Sequence, residues 1–64
     1  VVVQIGDHTF LNGFAWILLD DEGERLCMSD NAFLDEDEAI EDFTEFCKIA
    51  NIKNVKTEFV EHEN

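Results

Sequence analysis

The chain has no proline, no tyrosine, three glycines, two cysteines and only four Lys or Arg residues. With no proline-rich, repeated or low-complexity stretch there is no linker to divide it. Residues 1–64 are therefore expected to form a single domain. Four basic residues against sixteen acidic ones leave a net charge of −12 and no cationic stripe. This disfavours nucleic acid and anionic membrane surfaces as direct ligands, and neither is expected as a partner. The longest apolar run, residues 14–19, falls far short of the roughly 20 residues a spanning helix requires. No charged-then-apolar signal segment precedes the first strand, and Cys27 and Cys47 are too few and too far apart for a disulfide scaffold or a CxxC site. A reduced cytoplasmic (intracellular) setting is the expectation.

What is present is enough to fold. Hydrophobic residues make up 45% of the chain and include six Phe and one Trp, too many for a disordered acidic tail. A chain this short buries only about 60% of the surface its unfolded form exposes, so its stability is expected to be marginal. Residues 1–5 are β-branched and apolar apart from Gln4 and stop at Gly6-Asp7, which predicts a strand and a turn. Asn12-Gly13 is the strongest two-residue turn signal, residues 14–20 form a second strand, and residues 24–29 return as a third. Gly23 is expected at positive φ in the connecting turn. Asp30-Asn31 breaks the strand pattern.

Helical spacing starts after Asp35. Ala39, Ile40, Phe43, Phe46, Cys47 and Ala50 recur every three or four residues as one apolar stripe. Asp35 is placed to cap the helix with Glu38 three residues on, Lys48 lies near its negative end, and Asn51 can stop it. Residues 55–60 predict a final strand, and the polar residues 62–64 a frayed tail. The expected fold is α+β, a small antiparallel sheet of three or four strands packed on one amphipathic helix in the order β-β-β-α-β.

In residues 14–19 both alternating sets are apolar: Phe14, Trp16 and Leu18 on one face, Ala15, Ile17 and Leu19 on the other. One helix covers one face of a small sheet, so Ala15, Ile17 and Leu19 are expected to meet a partner or a second copy in a homodimer. The alternative is that an end of the chain folds over them.

Phe14-x-Trp16-x-Leu18, Gly23-Glu24-x-Leu26, Ser29, Phe33, Ala39, Phe43 and Phe46 together resemble the YegP-like family of small uncharacterised proteins. The resemblance spans residues 14–51. It implies a three-stranded antiparallel sheet packed on a helix, often in tandem units, and brings no catalytic residues with it. This chain departs from that pattern in having Glu22 before Gly23, a far more acidic helix and a strand-like segment after the helix.

The most unusual feature is charge. Asp35, Glu36, Asp37, Glu38, Glu41, Asp42 and Glu45 place seven carboxylates in eleven residues with no Lys or Arg among them. On a helix they lie along roughly 15 Å, about one per 2 Å of axis. Duplex DNA carries one negative charge per about 1.7 Å. With Asp20, Asp21, Glu22 and Glu24 at the hairpin tip, they suggest a surface that imitates a nucleic-acid backbone and docks a basic protein groove. Phe33, Leu34 and Phe10 are candidate apolar anchors, although Phe33 also suits the core beneath the helix start. Two other readings of the charge are a merely solvated helix face and a halophilic surface.

Chemical motifs are missing. His8, Cys27, Cys47 and His62 are competent zinc ligands without the short spacings of a structural site. The acidic runs lack the alternation and glycine of a calcium loop, and no GxSxG, HExxH or phosphate-binding glycine loop occurs. Hydrolysis by paired acids requires one carboxyl with a raised pKa in a cleft, which solvated helix acids do not supply. No metal or cofactor is expected, and no enzyme activity. The expected function is an acidic protein-interaction domain, an inhibitor or regulator of a nucleic-acid-binding protein of phage or mobile-element type. The alternative is a YegP-like domain acting through its apolar sheet face.

Overall fold

The computed structural model describes residues 1–8, 13–30 and 32–60. The expectations placed on Phe10, Asn12, Asn31 and residues 62–64 lie outside them. Four strands and one helix follow in the order β1 (Val2–His8), β2 (Gly13–Leu19), β3 (Arg25–Met28), α1 (Glu36–Ala50) and β4 (Lys56–Val60). The strands form one sheet in the spatial order β3-β2-β1-β4. The α+β class and the β-β-β-α-β order agree with the sequence reading.

The sheet is mixed rather than wholly antiparallel. β2 pairs antiparallel with both β1 and β3, whereas β4 runs parallel to β1. Chain direction explains this. Two antiparallel turns leave β3 pointing the same way as β1, and a single helix carries the chain back so that β4 must repeat that direction.

β1 also runs through Gly6-Asp7 instead of turning there. Gly6 holds φ +149, and a Cβ on it would collide with the Val60 carbonyl oxygen of β4. A glycine inside a strand here marks close backbone approach, which a sequence pattern reads as a turn. The true turn glycine is Gly23, at φ +87 between β2 and β3.

One face of the sheet builds the core. Val3 and Ile5 of β1 stand opposite Leu18 and Trp16 of β2, and Ala39 and Phe43 of α1 close over them. Phe14, Cys27, Phe33, Ile40, Phe46, Cys47, Ile52 and Val55 pack around this centre. Trp16 lies 5.0 Å from Phe43 and 4.9 Å from Phe46 between ring centroids, both tilted. Such geometry contributes about 0.5–1.5 kcal/mol per pair beyond area burial.

The helix ends are set by named side chains. Asp35 accepts the Glu38 amide at 2.9 Å, while the Glu38 carboxylate reaches back to the Leu34 amide at 3.2 Å. This is a capping box displaced by one residue. At the other end Asn51 adopts the left-handed conformation, φ 56 and ψ 42, and its amide donates to the Cys47 carbonyl. Ala50, assigned to the apolar stripe, is exposed.

The second sheet face carries Ala15, Ile17 and Leu19. Ala15 is 0% and Ile17 6% exposed within the single chain, and Leu19 is half-buried. Ile17 is flanked by Gln4 on β1 and Met28 on β3. Gln4 in turn donates to Glu58 of β4 at 3.4 Å. The buried His8 ring turns back along β1, its Nε2 3.2 Å from the Gln4 carbonyl.

Candidate protein-docking groove on the acidic helix face

α1 positions the acidic residues, and the structure sorts them into two groups. Asp35 and Glu38 are engaged in capping, and Asp42 accepts the Trp16 indole N–H at 2.7 Å. Glu45 sits 3.6 Å from Lys48 in an exposed pair of the kind worth little. Among the described residues no hydrogen bond or ion pair engages the side chains of Glu36, Asp37 or Glu41. The hairpin-tip acids are less available. Asp20 accepts the Glu22 and Glu24 amides, both at 2.9 Å, so it shapes the turn. Glu22 and Glu24 are exposed.

Helical spacing aligns the rest. Glu38, Asp42, Glu45 and Ile49 follow one another at four-, three- and four-residue intervals and form one row along α1, with Glu41 beside it. From Glu38 to Ile49 that row runs about 16 Å. Two hollows adjoin it. A groove of about 420 Å³ lies between the helix and the β3 side, with Trp16, Cys27, Met28 and Phe46 along its floor. Ile49, Asp30, Asp42 and Glu45 stand at its rim. A second depression, of about 490 Å³, places Phe33 under Glu38, Glu41, Asp42 and Glu45.

The two hollows share Asp42 and Glu45, so the acidic row borders apolar surface along most of its length. Leu34 and Ile49, 88% and 84% exposed, stand near its two ends. Phe33 serves the core: it bridges to Phe14 through paired backbone hydrogen bonds of 3.2 and 2.6 Å and is half-buried.

The sequence reading located the acids and missed the groove. Its signal was available in Trp16, since a buried indole requires an acceptor, and Asp42 is the acid on the stripe's edge that supplies it. Cys27 and Cys47 are unbridged and half-buried. Burial raises both thiols above the ordinary cysteine range, and the neighbouring Cys27 adds to the effect on Cys47. Among the described residues no group of three or more His, Cys, Asp or Glu is placed to hold a metal ion, and no helix is long and apolar enough to cross a membrane. His62 lies outside that set.

The arrangement offers a negative row beside apolar hollows. Comparison with protein-family models, with curated proteins and with solved structures finds no match to this chain.

Proposed function

We propose that this chain is a non-enzymatic, cytoplasmic interaction domain that docks a basic protein surface against the solvent face of α1. In this reading the acidic row stands in for a nucleic-acid backbone and occupies the groove of a nucleic-acid-binding protein, inhibiting or regulating it. The observation that supports it is the alignment of Glu38, Glu41, Asp42 and Glu45 on one helix face with a single Lys48 nearby. Ordered carboxylates on a rigid helix concentrate the field where a disordered acidic tail would spread it. The apolar surface at Phe46 and Ile49 adds contact that charge alone does not supply, because rim charges steer more than they hold. Action through the second sheet face has less support, since Ala15 and Ile17 are buried.

Immobilised protein should retain nucleic-acid-binding proteins from a lysate at low salt and release them to added duplex DNA. Replacing Glu38, Glu41 and Glu45 together with Gln should cut that retention by at least about tenfold, since such association is electrostatic and salt-dependent. Retention that survives both the triple replacement and high salt would overturn the reading.

A further inference from the structure

We infer that the groove between α1 and the β3 side seats an arginine side chain carried on a basic segment of a partner protein. The inference rests on the docking reading and gives that partner its chemistry. The groove is amphipathic in a way that suits one side chain: Met28, Phe46 and the exposed Ile49 offer an apolar wall, and Asp30, Asp42 and Glu45 provide carboxylates. An arginine stem lies along apolar surface while its planar head meets acids.

Asp42 is held in place for this. Its Oδ2 accepts the indole N–H of Trp16, a ring 3% exposed and wedged between Phe43 and Phe46. Its other oxygen has no partner among the described residues. Glu45 gives up only the exposed contact with Lys48 when a better donor arrives.

Charge complementarity selects the occupant. An apolar segment would strip water from the rim carboxylates without pairing them. A nucleic acid or acidic peptide is repelled by a chain of net charge −12. Between the two long basic side chains the guanidinium is favoured, because its flat fork serves two carboxylates at once and is the less strongly hydrated head beside an apolar wall. A lysine ammonium has neither property.

Trp16 is the single tryptophan and lines the groove, so its fluorescence reports on the site directly. The probes are blocked peptides of alternating arginine and alanine and their lysine counterparts. The arginine peptide should produce a saturable change and bind at least about fivefold tighter than the lysine peptide, reflecting bidentate pairing. Glu45→Gln should weaken it by about fivefold or more, and Asp37→Asn, outside the groove, by less than about twofold. Asp42→Asn keeps an acceptor for Trp16 and should also weaken binding while preserving the melting curve. Equal affinity for both peptides, with Glu45→Gln and Asp37→Asn equally harmful, would overturn the arginine seat and leave a diffuse docking face. Failure of both peptides to bind at low salt would overturn the docking reading as well.

Discussion

At the scale of single residues, the backbone conformations that matter are held by glycine and asparagine. Asn51 and Asn54 take φ of 56 and 60, a region asparagine tolerates better than most residues. Gly6 and Gly23 both sit at positive φ, but only Gly6 faces a neighbour where its side chain would be. Gly23→Ala is therefore expected to cost about 1–2 kcal/mol, from conformation alone. Gly6→Ala should cost more, because it also pushes β4 away from β1, and urea midpoints of the two variants check the order. Asp35→Ala should lose about 1 kcal/mol with the N-terminal cap, read as a lower melting temperature. The cap and stop residues were legible from the sequence, since Asp35 and Asn51 have few other reasons to flank an apolar stripe. Gly6 was not, because what it makes room for is a carbonyl from β4, remote in sequence.

At the scale of elements, the helix was the most legible part of the chain. The three- and four-residue spacing of Ala39, Phe43, Phe46 and Cys47 has one structural solution, which the core adopts. The alternation in β2 named two apolar faces but could not say how deeply Ala15 and Ile17 are buried, because that depends on how the rest of the chain packs around the sheet. Ile17→Lys is accordingly expected to unfold the chain, and loss of its circular-dichroism signal, rather than a change of oligomeric state, is the result to look for. The acidic row was visible as composition. The groove beside it was not, since its walls come from α1, β2 and β3 together. The cysteines follow from the same packing. Their raised pKa values keep both thiols protonated at neutral pH, so iodoacetamide should label the folded chain more slowly than free cysteine. As pH climbs through the unfolded value of 9.0 the unfolded chain loses these protons first. Folding stability should then fall with rising pH until the folded thiols also ionise, which denaturant midpoints across alkaline pH would follow.

For the whole molecule, the governing quantity is self-repulsion. Sixteen acids on sixty-four residues oppose compaction, and Lys48 is the only lysine paired to an acid among the described residues. Raising salt from about 10 mM to about 0.5 M shortens the screening length severalfold and should raise the melting temperature. The same salt should weaken partner capture, so stability and binding are expected to move in opposite directions along one titration. The parallel pairing of β1 with β4 has a kinetic meaning of its own. Val2 lies beside Lys56, so β1, an interior strand, gains its second neighbour only after β2, β3, α1 and β4 have all been made. Closing so long a loop slows the search for the native state. During that interval the exposed rim of β1 is open to strands of other nascent chains, and the crowd of like charges that burdens the finished fold also keeps such chains apart.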